Sequence, residues 1–166
     1  MDLSDVFKKR NLKNINLRYE NLVGRDFSDS FLSGVDLSDM DVNRANFSGS
    51  DLSGSNFTRG ILFFVKFRGT DLRNANLSEA KIWDAEMYGS NLAESDLRGA
   101  DLFNTDFKSC NLQNADLSGA YLKNCDFEGS NLDNVEFVNT KYDQKTIESI
   151  KNDESKLKLR SQGILW

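Results

Sequence analysis

The stretch Asn111–Leu132, NLQNADLSGAYLKNCDFEGSNL, decides the fold. Read in fives, each unit is a small residue, then mostly Asp or Asn, then Leu or Phe, then two polar or Gly positions. An α-helix needs apolar residues about 3.6 apart, and a simple half-buried strand needs one at every second position. A strict period of five satisfies neither. Outward from this stretch the frame holds without insertion. The 26 central positions from Leu12 to Phe137 are all Leu, Phe, Ile, Val or Met, and Phe7 and Tyr142 extend the frame at either end.

A longer period lies inside the first. Every fourth central residue gives Leu12, Leu32, Leu52, Leu72, Leu92, Leu112 and Leu132, an unbroken leucine column. A second column reads Phe7, Phe27, Phe47, Phe67, Met87, Phe107 and Phe127. Twenty residues per turn, four fives per turn, is the simplest account, with like side chains stacked from coil to coil. Such a turn cannot bury its own apolar groups, but stacked turns share one core. The residue two before each centre must also point inward, and from Ala45 to Ser130 that position holds only small side chains, Cys110 and Cys125 among them. The position two after the centre is rich in Gly and Asn, as corners with unusual dihedrals require.

The unit Ala-Asp/Asn-Leu-x-x, as in Ala75-Asn76-Leu77, Ala100-Asp101-Leu102 and Ala115-Asp116-Leu117, resembles the pentapeptide-repeat family. The resemblance implies an all-β solenoid: a right-handed quadrilateral β-helix of six to seven coils over residues 11–142. Residues 1–10 are expected to form an N-terminal lid, with Ser4 capping a short helix that carries Val6 and Phe7. Residues 143–166 are expected to be a C-terminal cap. Asp143 to Asn152 reads as a short helix with Asp143 as cap and Ile147 and Ile150 on the last coil. Similar segments close the helix in this family and in several members mediate dimers. The apolar end Ile164-Leu165-Trp166 is expected to pack on the body or on a second copy. The pattern is weakest at its start, where Arg10, Glu20 and Arg25 replace small residues. Either the first coil is deformed there or Glu20 and Arg25 pair, because an unpaired buried charge costs too much.

At 166 residues the chain supports one domain. It is 39% hydrophobic with a net charge of −5 and no proline. No apolar run approaches the roughly 20 residues that span a bilayer, and no amino-terminal apolar segment marks export, so a cytoplasmic protein without membrane contact is expected. Residues 26–142 carry ten bases against 19 acids. An acidic body argues against direct nucleic-acid binding, which needs cations opposed to phosphates.

Histidine is absent, which removes the commonest general base and metal ligand. Cys110 and Cys125 fall on the small inward register and read as core fillers. The acids before each centre alternate freely with Asn, as residues serving local backbone hydrogen bonds would. No enzyme, cofactor or metal is therefore expected.

Residues that break the repeat carry the functional signal. Four of the twelve Phe, Phe31, Phe63, Phe64 and Phe103, lie off the central register. Folding at twenty places Phe63, Trp83 and Phe103 at one outward position on three successive coils, with Ile61, Phe64 and Tyr121 on the same face and Lys81 and Asp101 among them. The resulting patch, roughly 400–600 Å², is at or above the largest on typical monomers, and aromatics are enriched at interface hot spots. The first expectation is a non-enzymatic scaffold that docks a protein partner or a second copy through these six residues. A homodimer through this face or the C-terminal tail fits the same pattern.

The alternative comes from the resemblance. Some family members bind DNA gyrase by imitating duplex DNA and are linked to quinolone resistance. The candidate surface is the most acidic face, with Asp36, Asp39, Glu79, Asp96, Asp116 and Glu136, interrupted by Arg59 and Arg98. B-DNA as long as residues 26–142, roughly 28 Å, carries about 16 charges, against a net −9 here. The loop insertions of the plasmid-borne quinolone-resistance type are absent from this repeat region.

Overall fold

The structure, a computed structural model, describes residues 7–13 and 15–166. The helix expected around Ser4 and Val6 lies outside the described residues. Phe7 stacks on Phe27 with ring centroids 4.9 Å apart.

Parallel bridges join residues twenty apart along four columns, such as Asp26–Asn46–Lys66, Phe31–Asp51–Asp71, Asp36–Asn56–Asn76 and Asp41–Ile61–Lys81. Each column is one flat side of the coil. The pentapeptide Ser50–Gly54 shows why the unit works, since all five of its N–H groups find acceptors. Ser50 donates to Phe47 O across the corner, and Asp51 to Ser30 O on the preceding coil. Leu52 and Gly54 donate to Asp71 O and Arg73 O on the following coil. The fifth donor, Ser53 N, is taken by the Asp51 carboxylate at 3.0 Å. A buried backbone group left unpaired is costly, so Asp or Asn before the centre completes the backbone's own bonding. The same contact recurs from Asn76 to Ser78 N and from Asp116 to Ser118 N.

The central residues form the core, and nearly all are fully buried. Phe27–Phe47 and Phe107–Phe127 stack at 4.9 Å, matching the roughly 4.8 Å between coils. Small inward hydroxyls and thiols satisfy themselves on carbonyls one coil back: Thr105 Oγ1 donates to Ile82 O, Cys110 Sγ to Met87 O and Cys125 Sγ to Leu102 O. Burial pushes the Cys110 thiol up to about 11 and drives Cys125 the same way. Both cysteines are free.

The first coil departs from the rest. Among the described residues, Asn16 and Asn21 make no bridge to the next coil, whereas Asn11 and Asp26 do. Glu20 is exposed, and the half-buried Arg25 donates from Nε to Asn21 O at 3.1 Å. Of the two sequence expectations, the Glu20–Arg25 pair does not form. The coil opens instead, and the charges stay in solvent.

At the other end β1 (Tyr121–Leu122), β2 (Lys141–Tyr142) and β3 (Ile164–Leu165) form a parallel sheet in that order. Between β2 and β3 run two helices, α1 (Gln144–Ser149) and α2 (Asp153–Gln162). The single helix expected over Asp143–Asn152 is thus corrected: Asp143 caps α1, but α1 stops at Ser149 and Asn152 caps a second helix. Short helices are marginal without tertiary support. Here Ile147, Ile150 and Leu159 are buried, and the Thr146 hydroxyl donates to Leu122 O. Gly163 then turns the chain where a Cβ would lie 2.7 Å from Leu159 O and 2.8 Å from Tyr142 Cε1. The tail returns as β3 on the body, leaving the side chains of Ile164, Leu165 and Trp166 exposed.

Candidate protein-docking face

The side built on the centres Val42, Leu62, Ile82, Leu102 and Leu122 is where the repeat's chemistry changes. Before the centre, the usual Asp or Asn gives way to Ile61, Lys81 and Tyr121. Losing the side-chain acceptor alters the backbone: Phe63 N turns to Asn43 Oδ1 of the preceding coil at 2.7 Å, and Trp83 N finds no acceptor among the described residues. Asp101 keeps the acid but does not use it locally, since no bond joins it to Phe103 N or to any described side chain. Phe64 occupies a corner at φ +57°, where Arg44, Asp84, Asn104 and Asn124 sit on the neighbouring coils. A bulky residue there is an outlier, at a cost of about 1–2 kcal/mol.

The structure brings the six predicted aromatic-face residues onto one side. Phe63 and Trp83 stack at 4.7 Å, and Trp83 meets Phe103 edge-on at 6.4 Å. Arg44 lies 5.8 Å over the half-exposed Phe64 ring. Ile61 is half-buried beside them. Tyr121, on the coil after Phe103, makes no ring contact with this stack but is joined by a residue the sequence reading did not assign to the face: Trp166, edge-on at 6.4 Å. Lys123 lies 5.2 Å over Trp166, and Lys141 lies 4.4 Å over Tyr121 while donating to its hydroxyl. These cation–π contacts extend the apolar wall with aliphatic stems. Between Trp83, Phe103, Tyr121 and Trp166 runs an open groove of about 440 Å³, with Asp101 and Lys123 also lining it. The tail does not cover the ladder; it lengthens it. Twenty-residue arithmetic could not place Trp166, because two helices make the last step from Lys141 to Ile164 longer than one coil.

The six predicted acidic-face residues also share one side, but there the charges close on themselves. Arg18 pairs with Asp36 at 3.1 Å, Arg59 with Asp39 at 2.7 Å and Arg98 with Asp96 at 2.6 Å, with Asp116 at 3.8 Å. Lys158, brought over by α2, holds Glu136 at 2.9 Å. Glu79 alone of the six has no ion pair among the described residues. Hydrogen bonds from Arg59 and Arg98 hold Asp39 and Asp96 below the usual carboxylate range, and bonds from Ser38 do so for Asp36. Six carboxylates against three guanidiniums and Lys158 leave these groups with a net charge of only −2.

Among the described residues no three His, Cys, Asp or Glu cluster as metal ligands. Sequence comparison matches residues 60–137 to the family described as pentapeptide repeat region and residues 21–59 to pentapeptide repeats in eight copies. No curated protein matches the chain. Among solved structures, a pentapeptide repeat protein from the Arabidopsis thaliana thylakoid lumen is 30% identical, covering 76% of this chain and 78% of that one, with a TM-score of 0.37. QnrB1, a plasmid-mediated fluoroquinolone resistance protein, is 17% identical over 95% of both chains, TM-score 0.47. HetL, a pentapeptide repeat protein involved in heterocyst differentiation regulation in Nostoc, is 19% identical over 81% of this chain and 72% of its own, TM-score 0.34.

Proposed function

The chain belongs to the pentapeptide-repeat family, and from that premise we propose that it is a non-enzymatic docking scaffold whose aromatic face binds another protein chain. We read its body as a right-handed quadrilateral β-helix of six to seven coils closed by the helical cap, acting in the cytoplasm. Proteins of this family are generally structural or interaction proteins. The observation that carries the reading is the ladder from Phe63 to Trp166. Its aromatics are paired with one another yet remain more than a third exposed at Trp83, Phe103, Tyr121 and Trp166. Well-packed aromatic anchors beside a groove are what interface hot spots are made of.

A DNA-like surface for gyrase draws less support. Duplex DNA presents about one unpaired negative charge per 1.7 Å, whereas five of the six acids on the candidate face are already paired. Purified gyrase should therefore supercoil normally in the presence of micromolar protein, and inhibition would revive that reading.

The test of the docking face is the double variant Trp83→Ser/Phe103→Ser. Both side chains are outward, so far-UV circular dichroism and the melting curve should stay close to wild type. Self-association in the ultracentrifuge or partner retention on an affinity column should drop. If both are unchanged in the folded variant, the ladder is only a structural stack.

A further inference from the structure

The charges on the aromatic face have no ion-pair partners in the described chain, and their order is self-complementary. We infer that the occupant of this face is a second copy of the chain, related by a two-fold axis that crosses the face between the Trp83 and Phe103 coils. This rests on the docking reading above and names its partner. Such an axis lays like columns on like columns with the coils in reverse order. In the column before the centre, Lys81 then faces Asp101 of the second copy, Ile61 faces Tyr121 and Asp41 faces Lys141. In the column after the centre, Trp83 faces Phe103, Phe63 faces Lys123, and Val23, 44% exposed, comes level with Trp166. No like charges meet.

The alternatives fail on the same residues. Shifting the register by one coil puts Lys81 on Lys81 or Asp101 on Asp101, and juxtaposed like charges are strongly disfavoured across an interface. Laying the coils parallel instead sets Lys81 against Trp83 and Asp101 against Phe103, leaving both charges unpaired. Lys81 and Asp101 are bridge partners on adjacent coils, yet they form no ion pair with each other. Their charges remain available to another molecule. An isologous contact of this kind closes at two subunits.

Size sets the strength. Five coil steps from Asp41 to Lys141 span about 24 Å, and the outward residues of one side span about 10 Å. About 240 Å² of flat face per copy, more once side-chain relief is counted, stays below the roughly 1,200 Å² lower bound of standard interfaces, the size class of weak, transient association.

The test is sedimentation equilibrium of the full chain from about 1 to about 500 µM, a window that brackets such an affinity. Wild type should go from monomer to dimer. Lys81→Asp and Asp101→Lys should each weaken self-association at least about tenfold, since each sets two like-charge pairs across the axis. Both substitutions suit the fold, because this column already carries Asp and Lys at equivalent places. Mixing the two single variants should restore association as a heterodimer, as should the double variant alone. A wild type that stays monomeric throughout, a dimer indifferent to both substitutions, or a mixture that fails to recover would each overturn the second-copy inference. Loss of Trp83-dependent partner retention as well would take the docking reading with it; its persistence would leave that reading standing.

Discussion

Two sides of the same solenoid, built from the same five-residue unit, have opposite surface logic. On the acidic side the residue before the centre is Asp, Asn or Glu throughout, and most carboxylates there are spent, first on the chain's own N–H groups and then on Arg18, Arg59, Arg98 and Lys158. On the aromatic side Ile61, Lys81 and Tyr121 abandon the backbone acceptor, and Asp101 keeps it without using it. The first side is chemically closed. The second gives up local hydrogen bonds, each worth about 1 kcal/mol net, and accepts Phe64 in a left-handed corner. The difference shows that the repeat dictates the inside and leaves the outside free, and that the aromatic side gathers more such departures than the sides carrying Phe31 or Lys66 and Glu86.

The largest expected effect checks that the two sides share one core. Leu97 lies beneath the acidic side and Leu102 beneath the aromatic side, and both are fully buried. Leu97→Ala and Leu102→Ala should each cost about 2–5 kcal/mol, with equal losses within about 1 kcal/mol, read from urea denaturation. A much smaller loss at Leu102 would mean that the aromatic side is loosely packed, and the comparison would then concern packing rather than surface.

Acid should erode what the paired carboxylates contribute. Asp36, Asp39 and Asp96 have folded pKa values below the ordinary value. Their contribution is complete above the unfolded carboxylate range near pH 4 and is lost as pH falls through the still lower folded values. The melting temperature should be flat from about pH 8 to pH 5 and fall only below about pH 4, by a small step because these pairs are largely exposed and screened. A fall that begins at pH 6 would contradict the pairing.

The solenoid was legible because a five-residue period of buried side chains admits so few solutions, and the columns of Leu and Phe fixed the twenty-residue turn. Both candidate faces followed from that arithmetic alone. Three things did not. Residues 153–162 have no strong apolar stripe, and α2 is set by the Asn152 cap and by burial of Leu159 and Ser155 on the last coil. Trp166 joins the ladder only because α1 and α2 return the chain to β2. And the neutralisation of the acidic side depends on rotamers of Arg59 and Arg98 and on Lys158, which the chain brings across from α2. Repetition predicts where backbone goes; it does not predict which long side chains reach one another.

The small inward position offers a finer contrast. Beneath the acidic side, the Ser55 hydroxyl is buried with no partner among the described residues, while Ala75 and Ala115 fill the equivalent place. Ser55→Ala should therefore raise stability by about 1 kcal/mol, by removing an unsatisfied polar group. Beneath the aromatic side, a Cβ on Gly60 would sit 2.9 Å from Leu62 Cδ1 and 3.0 Å from Phe57 O. The Leu62 methyl can move but the carbonyl cannot easily, so Gly60→Ala should cost about 1 kcal/mol or more by overpacking. Opposite signs in thermal melts are the expected result, and two gains would show that the coil relaxes around Gly60.

The smallest effect separates the surfaces themselves. Arg98 holds Asp96 at 2.6 Å and lies 3.8 Å from Asp116, all three at least partly exposed. Exposed pairs contribute about 0–1 kcal/mol, so Arg98→Gln should lower stability by no more than that, and salt should shrink the loss through screening. Lys81 has no such partner among the described residues, so Lys81→Gln should leave the dilute monomer's stability unchanged. Measured at protein concentrations too low for association, a cost at Arg98 and none at Lys81 is the signature of one side whose charges serve the chain and another whose charges do not. Equal costs would mean that Lys81 finds Asp101 within its own chain in solution, and the free charge on which the aromatic side's self-complementarity depends would be gone.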